Sequence, residues 1–279
     1  MQREELLNKW LEEVLDSSEF AIQPASSDAS FRRYFRVTQQ GKSYIVMDAP
    51  PGHEDVRPFI KVDQHFSQAG MNVPTIFAQN IEQGFLLLSD LGPTDYLSAL
   101  SGESADALYL DAITALLGLQ KNCVNIEAFP SYNSELLQRE MALFVEWFLQ
   151  KHLALDLTSE QQQTIRHCFA TLEESALQQP QVVVHRDYHS RNLMVCEQQS
   201  PGVLDFQDAV VGPVSYDLVS LLKDCYIAWP EERVYGWLRY YFEMAYQRGL
   251  LQCDERQFIE WFDLMGMQRH FKAIGIFAR

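Results

Sequence analysis

Between residues 182 and 224 the chain carries His185-Arg186-Asp187-Tyr188-His189-Ser190-Arg191-Asn192 and, after a polar interval, Val203-Leu204-Asp205-Phe206-Gln207. An aspartate, an asparagine five residues on and a second aspartate thirteen beyond that have the side chains phosphoryl transfer requires. That reaction needs a carboxylate beside the attacking hydroxyl and at least two oxygen ligands for the magnesium that bridges the nucleotide phosphates. Asp187 is the candidate base, and Asn192 and Asp205 are the candidate metal ligands.

Local pairing brings these groups together. Asn192 precedes the apolar run Leu193-Met194-Val195, and the chain returns through Val203-Leu204 to Asp205. A hairpin centred between Gln198 and Gln199 sets Asn192 opposite Asp205. Around this stretch, Leu6, Leu7, Trp10, Leu11, Val14 and Leu15 predict an amphipathic helix over residues 3–16. Alternation over 31–37 and 44–47 predicts an antiparallel hairpin turning at Gly41. A helix over 55–69, stopped by Gly70, and strands over 75–78 and 85–89 follow.

Beyond Pro93 the pattern changes to helices over 105–120, 134–152, 158–177, 217–228, 231–248 and from 253 onward, with short apolar runs at 182–184, 193–195 and 203–204. The fold class is therefore α+β and two-lobed. Residues 1–90 form a small antiparallel-sheet lobe, and 91–279, which holds Asp187, Asn192 and Asp205, a mainly helical lobe, hinged at 89–93. Clefts at such junctions are preferred ligand sites. The last helix reaches Arg279 without a glycine or proline stop, which predicts a chain that continues further.

Lys and Arg number 22 against 38 Asp and Glu, a net charge of −16, and no basic run exists. Nucleic-acid binding is disfavoured, since a phosphate backbone demands clustered cations. The surplus acid serves solubility, with a cationic acceptor as the sharper alternative. Cys123, Cys168, Cys196, Cys225 and Cys253 stand singly, as reduced thiols do. The start Met-Gln-Arg-Glu-Glu lacks a secretory pattern, and no apolar run reaches the length of a membrane span. These features predict a soluble cytoplasmic protein with no membrane partner.

The H-x-D-x-x-x-x-N pattern followed by an aspartate at the end of the next strand resembles the aminoglycoside phosphotransferase and choline kinase superfamily, kinase-like enzymes acting on small molecules. The likeness covers nearly the whole chain. Ser30-Phe31-Arg32-Arg33-Tyr34-Phe35-Arg36 stands where that superfamily has its phosphate-covering loop, 85–92 looks like its hinge, and Gly212-Pro213 with Tyr216-Asp217-Leu218 matches its next helix opening. The first of these segments, Val46-Met47-Asp48-Ala49-Pro50-Pro51 and Asp205-Phe206-Gln207-Asp208-Ala209 look closest to the bacterial anomeric kinases of N-acetylmuramate and N-acetylglucosamine in cell-wall recycling.

The resemblance implies a kinase-like fold using ATP and Mg²⁺, a small amino sugar as acceptor, a monomer, and nucleotide contacts from Ser30, Arg33, Ser89 and Leu91. It also meets departures. Residues 44–48 hold no lysine, and Met47 or Asp48 stands where the superfamily's phosphate-touching lysine belongs. Arg32, Arg33 and Arg36 are the nearest cations; alternation sends Arg32 and Arg36 to one face and Arg33 to the other, with Arg33 chosen as the clamp. No glycine-rich loop is present near Ser30, and Gln207 replaces the glycine of a D-F-G element.

His185 and His189 are expected to order the loop. Asp217 can cap its helix, and the resemblance implies that it braces the catalytic loop; Asp208 could face the magnesium. In 134–152, Leu137, Met141, Phe144, Val145 and Phe148 make a core stripe, while Glu140 and Trp147 lie off it, either reaching the sugar or facing solvent. Arg191 suits a bidentate bond to the lactyl carboxylate of a muramic acid. Three alternatives stay open: an aminoglycoside or amino-alcohol acceptor, a metal-dependent hydrolase built on His185, Asp187, His189 and Asp205, and a nucleotide-binding pseudoenzyme.

Overall fold

The computed structural model describes residues 3–27 and 31–279; Ser30, expected at the nucleotide, lies outside them. Helix α1 (Arg3–Leu15) precedes strands β1 (Ala21–Ser27), β2 (Arg33–Gln39) and β3 (Lys42–Asp48); helix α2 (Arg57–Gln68) and strands β4 (Ile76–Asn80) and β5 (Phe85–Ser89) follow. The strands form one antiparallel sheet in the order β1-β2-β3-β5-β4. Strand β1 escapes the sequence pattern because it is an edge strand carrying Pro24, with its register shifted between Pro24 and Ser26. Edge positions and bulges are where a sheet tolerates proline.

The sheet's two faces have different partners. Leu7, Trp10 and Leu11 of α1 pack on Val37, Val46, Phe85 and Leu87. Each such side chain contributes roughly 1.5–3 kcal/mol by leaving water. The opposite face, with Met47, Leu86 and Leu88, joins Phe59, Val62 and Phe66 of α2 in a core that continues without a break into the helical part.

That part contains α3 (Tyr96–Ala99), α4 (Ala105–Asn122), α5 (Ser134–Leu143), α6 (Ser159–Gln178), α7 (Tyr216–Leu222), α8 (Glu231–Gln247) and α9 (Glu255–Ala278). Two small antiparallel pairs lie among them: β6 (Gln181–Val184) with β9 (Val210–Pro213), and β7 (Leu193–Met194) with β8 (Gly202–Val203). Among the described residues no helix is long and apolar enough to cross a membrane.

Two helices depart from expectation. The helix expected over 134–152 changes to π-helix at Phe144–His152. Helix α9 crosses at that junction, where a Cβ on Gly275 would lie 2.4 Å from the carbonyl carbon of Leu143. Only glycine permits so close an approach. The helix expected over 217–228 stops at Leu222, and Asp224 instead accepts the backbone N–H of Tyr226 at 3.0 Å. An aspartate bonding two residues ahead turns the chain rather than extending a helix.

Candidate active site

The loop leaving β6 is held by its backbone. Asp217, fully buried in α7, accepts the N–H of His185 at 2.7 Å and of Arg186 at 3.0 Å. It therefore ties the loop rather than capping its own helix, which has no side-chain cap. His185 is also fully buried; its Nδ1 accepts the Asp187 N–H at 3.2 Å while Nε2 lies 2.9 Å from the Leu204 carbonyl. One imidazole thus joins the Asp187 loop to the strand that delivers Asp205. Burial drives His185 down to about 4, so the ring is neutral at neutral pH, and burial pushes Asp217 up to about 7 against the two N–H bonds it accepts. Further along, Asp224 accepts both the N–H and the hydroxyl of Ser190, at 3.0 and 2.5 Å, and the Tyr188 hydroxyl donates to the Ala112 carbonyl at 2.9 Å.

The hairpin brings Asn192 and Asp205 together with a corrected register. Leu193 pairs with Val203, so Leu204, not Asp205, stands opposite Asn192 and donates to its carbonyl at 2.9 Å. A one-residue slip reverses the face a side chain takes. The backbone resolves this by adopting φ 60 at Asp205, a left-handed conformation uncommon for any residue but glycine. Phe206 secures the kink, fully buried with its ring 4.7 Å from Phe59 and 5.6 Å from Phe66 of α2. Asn192 spends its amide N–H on the Asp187 carbonyl at 2.9 Å, which leaves its oxygen to ligate a cation. Asp205 Oδ1 accepts from Gln207 at 2.8 Å and lies 3.6 Å from the Arg32 guanidinium. An amide oxygen and a carboxylate already facing a cation fit a hard divalent ion completed by phosphate and water oxygens. Among the described residues no three His, Cys, Asp or Glu side chains converge as a metal cluster.

The arginines divide by strand alternation. Arg33 faces away from the cleft and, with Arg3 at 2.7 Å, pairs with the fully buried Asp48. Arg36 is committed to Asp90 of the hinge through bonds of 2.6 and 3.1 Å. Arg32 is the one of the three that approaches Asp205. Met47 takes the cleft side of β3 and Asp48 the α1 side. Ser89 follows Phe85 and Leu87 onto the α1 side, where its hydroxyl accepts the Thr75 N–H at 2.9 Å, and Leu91 packs beside Gly202 of the hairpin.

Asp187 opens onto a pocket of about 150 Å³ with His189, Ser220, Asp224, Arg269 and Lys272 in its wall. Burial alone would raise the Asp187 carboxyl, but the charges of Lys272 and Arg269 outweigh it and hold the group below the usual carboxylate range. The expected sugar contacts fall elsewhere. Glu140 is buried, joined to Arg186 at 2.5 Å, Lys272 at 3.3 Å and the Tyr132 hydroxyl, so its oxygens serve an internal network. Trp147 lies beneath Lys151, whose amine is 3.4 Å from its ring centre, outside the pocket wall. Arg191 is exposed at the pocket rim, 5.0 Å from the Tyr226 ring. Asp208 is exposed; its carbonyl accepts from Arg186 and its carboxylate from Gln207, each at 3.5 Å.

Arg269 and Lys272 went unread in the sequence. Their signal is real: between residues 264 and 278, a mainly apolar helix, they are the only Lys or Arg, and they fall one turn apart.

A model of the phosphotransferase enzyme family matches residues 21–253. The N-acetylmuramate/N-acetylglucosamine kinase of Pseudomonas putida is 48% identical over 260 residues, covering 93% of this chain and 76% of that protein. The kinase of the same name from Pseudomonas aeruginosa is 50% identical over 257 residues, covering 92% and 75%. An ADP-bound aminoglycoside phosphotransferase, 18% identical, superposes with a TM-score of 0.58 over 96% of this chain and 98% of that one, a likeness of fold. With 45–50% identity to curated sugar kinases and a match across most of its length, the chain belongs to the phosphotransferase enzyme family.

Proposed function

We propose that this protein transfers the γ-phosphoryl group of ATP to the anomeric hydroxyl of N-acetylmuramate or N-acetylglucosamine. The observation that carries this is an ionised Asp187 at the mouth of a pocket, its loop joined through His185 to the strand bearing Asp205. The acceptor is taken from relatives named N-acetylmuramate/N-acetylglucosamine kinase at close to half identity.

The acceptor hydroxyl approaches Asp187, whose carboxylate orients it and takes its proton. Such a base contributes about 10²- to 10⁴-fold. The Asn192 oxygen and Asp205 are the ligands for Mg²⁺, which neutralises phosphate charge when bound. Arg32, which already approaches Asp205, is the candidate for the cation that the small lobe's missing lysine would supply. Arg33 is spent on Asp48 and Arg36 on Asp90. Leu91, in the hinge, is the candidate nucleotide neighbour there. Arg191 stands at the rim, a candidate for contact with the outer part of the sugar. An ATP-dependent kinase of free sugars belongs in the cytoplasm, and a monomer suffices because one chain supplies every residue named.

A polycationic acceptor such as an aminoglycoside fits less well. Arg269 and Lys272 line the pocket beside Asp187, and like charges facing each other oppose binding. The test is ATP consumption across amino sugars, aminoglycosides and choline, with C1-reduced sugars as the control. Turnover is expected on the two N-acetylated sugars alone. Phosphorylation of a C1-reduced sugar would sink the anomeric assignment.

A further inference from the structure

Two cations share the pocket wall but not the same circumstances. Lys272 is answered by Glu140 at 3.3 Å and by the Tyr216 hydroxyl at 3.2 Å. Arg269 forms no ion pair among the described residues. Its hydrogen bond to the Arg186 carbonyl is long, 3.5 Å from Nη2, its guanidinium lies 5.0 Å from the Tyr216 ring, and its Nε is buried without an acceptor. Asp224, also in the wall, bonds Ser190 and Tyr226 instead, and the carboxylates of Asp187 and Asp217 favour the Arg269 charge through space without an ion-pair contact. Two further wall groups are unpartnered: the hydroxyl of Ser220, a residue with no exposed surface, and the Nδ1 of His189.

Buried donors without acceptors are costly, and those of a charged guanidinium more so. A planar fork of N–H groups matches a carboxylate, which accepts two parallel bonds. Building on the proposed acceptor class, we infer that Arg269 recognises a carboxylate carried by the acceptor, with Ser220 and His189 as neutral partners in the same pocket. The site then favours an acidic amino sugar over its neutral counterpart. Arg269, shielded in the pocket, holds that role rather than Arg191, which stands exposed at the rim.

The test measures kcat/KM on N-acetylmuramate and N-acetylglucosamine for the wild type, Arg269→Gln, Arg269→Lys and Arg191→Ala. For Arg269→Gln the muramate-to-glucosamine ratio should fall about 10- to 100-fold, as lost charged hydrogen bonds to a ligand do. Arg269→Lys, which keeps the charge and loses the fork, should lie between. Calorimetric binding of N-acetylmuramate without nucleotide reads the same contact apart from turnover, and should weaken in parallel. An equal loss on both sugars overturns the inference, since Arg269 would then act through Asp187. So does a ratio that moves with Arg191→Ala and not with Arg269→Gln. A wild type that turns over neither sugar refutes the acceptor class itself, a separate failure.

Discussion

The loop from His185 to Asn192 and the strand edge from Arg32 to Arg36, the two halves of the proposed site, are held by different means. The loop's backbone N–H groups donate to the Asp217 and Asp224 carboxylates and to the His185 ring, while the Tyr188 hydroxyl donates to Ala112 of α4 and the His185 ring reaches Leu204 beside the hairpin. The strand edge offers three arginines on long side chains, two of which are committed to Asp48 and Asp90. Groups that must be placed to a fraction of an ångström benefit from a supporting shell, whereas a cation meeting a phosphate tolerates a flexible stem. The loop half is therefore rigid by construction, and the phosphate half depends on which side chain can reach.

Removing the base tests this contrast most severely. Asp187→Ala is expected to cut kcat by about 10²- to 10⁴-fold while the dissociation constant for ATP stays within about 3-fold, read by a coupled assay and by calorimetry. Wild-type turnover in that variant would remove Asp187 from its role. Next, Asp205→Ala should raise the Mg²⁺ concentration for half-maximal activity by about 10-fold or more, without a comparable change in the sugar KM. An unchanged magnesium titration would place the ligand elsewhere.

The rigidity of the loop half has a pH signature of its own. His185 sits at about 4 in the fold against an ordinary 6.5, so between those values the unfolded chain binds the proton and the fold does not. Its contribution to stability is complete above pH 6.5 and is lost as pH falls toward 4. Asp217 works in reverse: at about 7 against an ordinary 3.8, it favours the fold below 3.8 and loses that contribution as pH rises to 7. Denaturant titrations across this range should show the stability gap between wild type and His185→Asn widening with pH, and that for Asp217→Asn narrowing. Parallel gaps would mean that the two groups do not titrate as their burial requires. The ceiling is about 3 kcal/mol for His185 and about 4 kcal/mol for Asp217.

The smallest effects separate the arginines of the strand edge. Arg32→Ala should lower kcat/KM for ATP by about 10-fold, as losing one charged contact to phosphate does. Arg33→Ala should act on stability, by about 1 kcal/mol, because Arg3 still answers Asp48. The opposite pattern, kinetic loss at Arg33 and thermal loss at Arg32, would restore Arg33 as the clamp.

Legibility in the sequence followed the reach of the interactions. Asp187 and Asn192 lie five residues apart in one loop, and the hairpin that delivers Asp205 closes over a few residues, so local patterning exposed them. Alternation also gave the right partition of the arginines, with Arg32 and Arg36 on the face opposite Arg33, though not the member that faces the cleft. Strand β1 was hidden by Pro24 and a weakly apolar composition. Glu140, off the core stripe, reads in the sequence as a sugar contact or a solvent-facing residue, because Arg186 and Lys272, which enclose it, are far away in the chain.

The sequence by itself determined the α+β class and the family, and offered Asp187, Asn192 and Asp205 as the candidate oxygen-bearing residues, because these depend on periodicity and short-range spacing. Tertiary structure alone decided that Asn192 opposes Leu204, that Asp205 regains its aim through a left-handed backbone, and that Arg269 and Lys272 stand in the pocket wall beside Asp187. The physical reason is that such placement is set by close packing between distant segments. The missing side chain of Gly275, which lets α9 meet α5, carries no sign in the sequence of what it will touch.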